Sequence, residues 1–346
     1  MSSQAPKGQG AQRNVNNRFD RYTYEPEEED LETMKTQIIE VFPKTILNVV
    51  KSPDLPLDYS MNPYQGCEHG CSYCFARPTH EYWGYSAGID FERKIMVKKN
   101  AAELLEKTFQ KRNYVPKTIM LSGNTDCYQP IERQFEITRR LLEVCRDYRH
   151  PVGIITKNAL VLRDLDILKD MSEKNLVSVS LSIPTLNEKL RRVMEPRTSS
   201  AQNKLKAIEI LSQNGMAVNI MVAPIIPALT SDETLSILKS VSDAGATSVG
   251  YTLVRLNDTV EPVFVHWLTT HFPDRKDKVL NLIKNMHGGK LGEKRYFERY
   301  KGEGNIAEMI HKTFEIGKKK FFAGKERAIL STENFTGSRT QQLRLF

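Results

Sequence analysis

The chain has 346 residues and a formal net charge of +8, a length that suits one large α/β domain with extensions. No apolar run reaches the roughly eighteen residues of a membrane span, and Met1 to Arg13 lacks the apolar stretch of a signal peptide, so a cytoplasmic, reduced protein with no membrane partner is expected. The charge is uneven: residues 288–346 carry thirteen Lys or Arg against seven Glu and no Asp, which suits a polyanionic partner or, equally, solvated helical faces.

Residues 1–44 are rich in Gly, Gln, Asn and Ser at the start and acidic from Glu25 to Asp30. They offer little apolar surface to bury and are expected to be mostly disordered. Thr45 to Val50 leads into a linker punctuated by Pro53 and Pro56, and a first strand is expected near Ser60 to Tyr64. That strand runs into Cys67-Glu68-His69-Gly70-Cys71-Ser72-Tyr73-Cys74. A four-iron cluster needs four ligands, so a loop with three thiolates leaves one iron open to bind something else. The spacing alone leaves a zinc site open, with His69, His80 or Cys127 as fourth ligand. A disulfide suits the stretch poorly, because five cysteines leave one unpaired and nothing suggests export. His69 reads as a loop residue shielding the metal, and His80, with Glu81 and Tyr82, as orienting the loop.

Beyond the loop, periodicity alternates between helix and strand. Asn100 is expected to cap a helix to about Arg112, followed by a strand at Thr118 to Leu121. A helix over Ile131–Tyr148 precedes a strand at Val152 to Ile155, and one over Asp164–Lys174 precedes a strand at Val177 to Ile183. Helices from about Ser200 to Asn214 and Ser231 to Ala244, each stopped by a glycine suited to a left-handed cap, precede strands at Ala217–Ile226 and Ser248–Val254. Single helices between strands call for parallel pairing with right-handed crossovers. Six such units predict an α/β fold, a partial (open) βα barrel, with a helical C-terminal extension. Four segments follow: 1–44, a core at 45–256, the extension at 257–330, and a flexible tail at 331–346.

The cysteine spacing, with Tyr73 before the last thiol, resembles the cluster loop of the radical S-adenosylmethionine enzymes, within them the branch related to spore photoproduct lyase. The resemblance implies the same barrel, a 4Fe-4S cluster on Cys67, Cys71 and Cys74, and S-adenosyl-L-methionine chelated to the open iron. One electron, from a reductant such as flavodoxin or ferredoxin, then releases a 5′-deoxyadenosyl radical that takes a hydrogen atom from substrate. It also places Tyr73 near the adenine.

Ligand chemistry in such barrels gathers at the C-terminal ends of the strands. The second strand ends at Ser122-Gly123-Asn124-Thr125-Asp126, where Asn124, Thr125 or Asp126 could accept from the cofactor's ammonium; an ordinary polar turn would look the same. The third ends at Lys157, matched by a Thr-Lys pair in the photoproduct lyase relatives and able to pair with the methionyl carboxylate. Ser180 and Ser182 share one strand face and suit ribose or carboxylate contacts. Glu195 and Arg197, in Met194-Glu195-Pro196-Arg197-Thr198, resemble a branch motif that positions the cofactor, or form a structural ion pair. Lys204 stands where relatives tend to have Arg. Met221 to Pro227 offers an apolar backbone surface for adenine, or core packing. Cys127 is a candidate hydrogen-atom donor, with nearby Tyr128, while Cys145 reads as a core residue.

In the extension, Lys294-Arg295-Tyr296-Phe297-Glu298-Arg299-Tyr300 interleaves cations with aromatics, a pattern that holds phosphates and stacks bases, or that solvates lysines over a buried aromatic face. The last residues, Gln342-Leu343-Arg344-Leu345-Phe346, resemble the peptide by which bacterial repair and replication proteins bind the sliding clamp, with Gln342, Leu343, Leu345 and Phe346 as contacts. The combined expectation is a radical enzyme acting on nucleic acid, repairing a DNA lesion. Its rivals are a radical enzyme modifying a protein, RNA or small molecule, and a non-catalytic, metal-containing clamp-binding adaptor.

Overall fold

Seven strands form one sheet, and six of them run parallel in chain order in the computed structural model, which describes residues 8–19 and 35–337. From one edge to the other the order is β10 (Ser248–Leu253), β9 (Val218–Ile225), β8 (Val177–Ser182), β7 (Val152–Thr156), β6 (Ile119–Leu121), β3 (Tyr59–Met61) and β2 (Leu47–Val49), with only β2 antiparallel. These are the six expected βα units, and the two edge strands are not paired with each other, so the barrel is open. Buried residues alternate with half-buried ones along β8 and β9, as strands with one enclosed face require.

A second, small sheet was not legible in the pattern. In it β5 (Lys94–Lys98) pairs in parallel with β1 (Gln37–Val41) and antiparallel with β4 (Tyr64–Gln65). Because β4 feeds into Gly66 and Cys67, this sheet holds the near end of the cysteine loop.

Three local expectations are corrected. Asn100 stands at the N-cap of the helix Ala101–Phe109, as expected, but its side chain accepts none of the helix N–H groups; its amide donates to the Pro43 carbonyl at 3.2 Å. The single helix expected over Ile131–Tyr148 breaks into Glu132–Phe135 and Ile137–Asp147 at Glu136, whose φ is 49°. The break lets the buried Glu132 carboxylate accept from the Thr138 N–H at 3.1 Å and from the Tyr64 hydroxyl. Ser231 begins a 3-10 turn, and the following helix starts only at Thr234.

The terminal segments also depart from expectation. Residues 8–19, placed in the disordered stretch, lie packed along the cysteine loop, with Gln9, Gly10, Ala11, Val15 and Asn17 buried. Apolar patterning misses this strap because polar groups hold it. The N–H groups of Gly10 and Ala11 donate to Glu92 at 3.1 and 2.7 Å, Val15 N–H to Ser86 at 2.8 Å, and the Asn17 amide to the Glu81 carbonyl at 3.1 Å.

The tail, expected to be flexible from 331, is docked through Gly337. Phe335 sits edge-on to His150 and Phe109, with ring centroids 5.3 and 5.5 Å away, and Ser331 N–H donates to the Asn175 carbonyl. His150 and Asn175 precede β7 and β8, so this docking is at the N-terminal ends of the strands, away from the cysteines. The peptide 342–346 lies outside the described residues.

Candidate active site

The cysteine loop spans the C-terminal ends of the strands. Gly66 and Gly70 both adopt positive φ, 78° and 66°, which glycine reaches without steric cost. The backbone of Gly10 crosses Gly70 so closely that a Cβ on Gly10 would lie 1.7 Å from the Gly70 oxygen. Below the loop, the wholly buried Arg77 donates to the Cys71 carbonyl through Nε and an Nη, at 3.0 and 2.8 Å, and to the Ala87 and Gly88 carbonyls. It is also paired with Glu92 at 2.5 Å, the carboxylate that receives the strap. One buried ion pair thus fastens the loop to its cover.

Cys67 and Cys71 are buried, and Cys74 is half-buried. Burial pushes the Cys74 thiol up to about 11, and Cys67 adds to the rise. Burial likewise raises the Cys71 thiol, with Glu195, Cys74 and Cys67 adding to it. Cys71 and Cys74, crowded against Cys67 and resisting ionisation, belong to a donor set short of positive charge, which a cluster of irons supplies. Among the described residues no three ligating side chains converge on one point, as a single zinc ion would require. A cluster instead takes each thiolate on a different iron.

The proposed fourth zinc ligands have other surroundings. The His69 Nδ1 is 3.3 Å from Asp126, and His80 packs against Tyr85 and Phe91. Cys127 is enclosed in the main core, with no exposed surface, and its N–H donates to Ser122 Oγ. That enclosure does not bring the Cys127 thiol to the mouth. Tyr128, donating to Asp164 at 3.0 Å, is equally buried, and Cys145 is in the core, as expected.

The strand ends form a network. Asp126 accepts from Tyr128 N–H and Thr156 Oγ1 on one oxygen, at 2.8 and 2.7 Å, and from Lys157 N–H at 2.7 Å on the other. With His69 beside it, this carboxylate is committed to joining the cysteine loop to β7. Burial would raise its pKa, but His69 and these donors hold it below the ordinary value; burial would lower the His69 pKa, but Asp126 and Cys67 raise it to about 10.

The ammonium of Lys157 is 2.8 Å from Glu195 Oε1 and donates to the Ala223 carbonyl at 3.2 Å. Tyr73, expected beside adenine, directs its hydroxyl to the same Glu195, with Lys157 5.5 Å from its ring. Lys204 completes the knot, 3.5 Å from Glu195 Oε2 and almost fully buried. Burial works against the Glu195 charge, but Lys157 and Lys204 hold its pKa at about 2. At this position, where relatives tend to have Arg, the role of Lys204 follows from its reach to a buried carboxylate. Arg197 is not the partner of Glu195; its Nη1 lies 4.0 Å from Glu68 and its N–H donates to the His69 carbonyl.

The remaining candidates differ in freedom. Ser180 Oγ accepts from Asn219 at 3.1 Å inside the barrel. Ser182, at the end of β8, is buried, and its hydroxyl makes no hydrogen bond among the described residues. Asn124 donates to Thr79 Oγ1 at 3.3 Å, tying the β6 turn to the segment after the cysteines.

The Radical SAM superfamily profile matches residues 61–241, from the first barrel strand through the fifth unit. A protein of Mycobacterium tuberculosis is 34% identical over 248 residues, covering 71% of this chain and 73% of its own. The chain belongs to the radical SAM superfamily. The superfamily uses a 4Fe-4S cluster and S-adenosylmethionine, and its enzymes need a reductant. A protein of Methanocaldococcus jannaschii is 29% identical over 247 residues, covering 71% of this chain and 88% of its own. Among solved structures, spore photoproduct lyase complexed with dinucleoside spore photoproduct superposes with a TM-score of 0.62 at 16% identity, covering 85% of this chain and 82% of that one. At that identity the likeness is one of fold. No helix among the described residues is long and apolar enough to cross a membrane.

Proposed function

We propose that this radical SAM enzyme acts on nucleic acid, repairing a DNA lesion with a lyase-like reaction. The observation that supports the substrate is the likeness of fold, across 85% of the chain, to a lyase solved with a dinucleoside photoproduct. Cys67, Cys71 and Cys74 are the cluster ligands in this reading. Once reduced, the bound cluster and cofactor supply a carbon-centred radical that removes a hydrogen atom from substrate.

The chain's own residues hold that chemistry in place. Arg77 orients the Cys71 peptide, and Asp126 with His69 ties the loop to β7. Lys157 and Lys204, balanced on Glu195, put two cations and one anion under Cys71, a charge surplus that favours a carboxylate-bearing ligand. Ser182, at the end of β8, and Asn124, after β6, are the polar groups on either side of β7 assigned to the cofactor.

Reduced, reconstituted enzyme incubated with deuterium-labelled damaged and undamaged DNA tests the reading. Label should pass into 5′-deoxyadenosine only with damaged DNA; label-free 5′-deoxyadenosine in both arms would reject DNA as the substrate. The 342–346 peptide is proposed to bind the sliding clamp. A synthetic peptide should bind purified bacterial clamp, and a tail-deleted chain with undiminished clamp affinity would reject that assignment.

A further inference from the structure

The two edges of the open barrel, β10 and β2, are bridged by residues of the C-terminal extension. Leu253 N–H, at the end of β10, donates to the Tyr300 carbonyl at 2.9 Å. Arg299 grips Asp54, in the loop between β2 and β3, through two nitrogens at 2.7 and 2.6 Å. Phe297 N–H also donates to Asp54, at 3.1 Å. Phe297 itself is exposed with a φ of 68°, an uncommon conformation for a bulky residue. Such conformations persist where surrounding contacts over-determine them.

Along this bridge, aromatic rings and guanidinium groups alternate. Arg255 lies 5.7 Å from the ring centroid of Phe75 and 4.7 Å from that of Tyr300. Arg299 lies 4.8 Å from Tyr300 and 5.1 Å from Tyr296. The column therefore reads Phe75, Arg255, Tyr300, Arg299, Tyr296. Phe75 is the residue after the third cysteine, so the column starts at the cluster loop and runs outward along the open side of the barrel. Its two terminal rings are the exposed ones, Phe75 at 55% and Tyr296 at 52%.

The two cations are not equivalent. Asp54 neutralises Arg299. Arg255 has no carboxylate within ion-pair distance among the described residues, although it is partly buried between two rings. Burial lowers its pKa, Tyr300 pushes it back up and Arg299 lowers it further. Tyr300 accepts one of its hydrogen bonds, and Asp54, the carboxylate that acts on it, is already paired with Arg299. A guanidinium held by π faces, with further donors than that one bond uses and no carboxylate of its own, is built to receive an anion. Open aromatic faces on both sides accept flat groups of any identity.

We propose that the column from Phe75 to Tyr296 is the ledge on which a nucleic-acid strand enters the site, with Arg255 holding a phosphodiester and Phe75 and Tyr296 each stacking a base. The proposal rests on the nucleic-acid reading and adds to it the place and manner of binding. It places the base stacked on Phe75 next to the cluster loop and leaves Arg299 as a positioning residue that holds Tyr296 and Tyr300 in line.

The test is binding of a fluorescein-labelled single-stranded DNA to the full, reconstituted enzyme, followed by anisotropy across a salt series. Arg255→Gln should weaken binding about tenfold and reduce the salt dependence by roughly the amount of one phosphate contact. Phe75→Ala and Tyr296→Ala should each weaken binding by a similar factor and leave the salt slope unchanged, because stacking releases no counterions. Both rings are exposed, so these changes leave the core intact, and the cluster's visible absorption reports folding in every variant. Lys206→Ala, an exposed charge on the outer helix Ala201–Gln213, is the matched control and should bind as the parent does. If the parent binds DNA and the three ledge variants bind equally well, the ledge is wrong and the nucleic-acid reading stands. If the parent binds no DNA, or polyglutamate displaces the DNA as well as unlabelled DNA does, the nucleic-acid reading fails and takes the ledge's ligand with it.

Discussion

Glu195→Gln is the substitution with the largest consequence outside the cysteines. The parent carboxylate is wholly buried and serves two ammonium groups, Lys157 at 2.8 Å and Lys204 at 3.5 Å, and the Tyr73 hydroxyl. Holding its pKa at about 2 instead of the ordinary 4.5 corresponds to about 3 kcal/mol of folding stability at neutral pH. Glutamine keeps the shape and removes the charge, so two buried cations lose their counter-ion, and removing one partner of a buried pair costs about 3–5 kcal/mol. Anaerobic denaturation in urea at pH 7 should show a loss of that size, with the m-value unchanged. The pH dependence has a definite sign. Because the folded pKa is depressed, the contribution is present above about 4.5 and disappears as pH falls toward 2, so across that window the parent loses about 3 kcal/mol more than the variant, in which only the other depressed carboxylates, such as Asp126, still titrate. Adding Lys204→Met should recover part of the loss, since it removes one of the stranded cations. A loss below about 1 kcal/mol in Glu195→Gln, the level of an ordinary surface change, would refute the reasoning, as would the same acid transition in parent and variant.

Three further outcomes are expected. Single Cys→Ala changes at 67, 71 and 74 should each abolish bound iron and the visible absorption, whereas Cys127→Ala and Cys145→Ala retain both; iron analysis after anaerobic gel filtration separates the two groups, and iron loss at 127 would reinstate that thiol at the site. Gly10→Val should lower iron retention and speed bleaching of the cluster in air, because its side chain would occupy the position of the Gly70 carbonyl; parental retention would show that the strap does not constrain the loop. Phe335→Ala should cost about 2 kcal/mol in denaturation, less than a fully buried Phe because the ring is only half-buried, and should leave iron content unchanged; an unaltered midpoint would mean that the docked tail contributes nothing to stability.

Covalent spacing and periodicity were enough for the barrel and the cluster loop. Repeating apolar patterns at two periods placed all six parallel strands to within a few residues, because a strand with one enclosed face shows it in every second residue. Three thiols in eight residues needed no tertiary information, since the chain itself holds them together. Glycines at 215 and 245 ended their helices in the left-handed conformation for the same local reason.

What the tertiary structure decided is who pairs with whom. Lys157, Glu195 and Arg197 were singled out from sequence, but their partners were not. Glu195 was linked to Arg197 by proximity along the chain, whereas it meets Lys157 and Lys204 because the segment after β8 folds back over the end of β7. The strap over the cysteine loop was invisible for a related reason. Its order comes from backbone groups donating to Glu92, more than eighty residues away, and a polar segment shows no apolar period by which to detect it. The ledge from Phe75 to Tyr296 joins parts of the chain that only the closing of an open barrel brings together. Local rules can name side chains capable of chemistry, but a buried charge takes its meaning from the one counter-charge within reach, and that is a property of the fold.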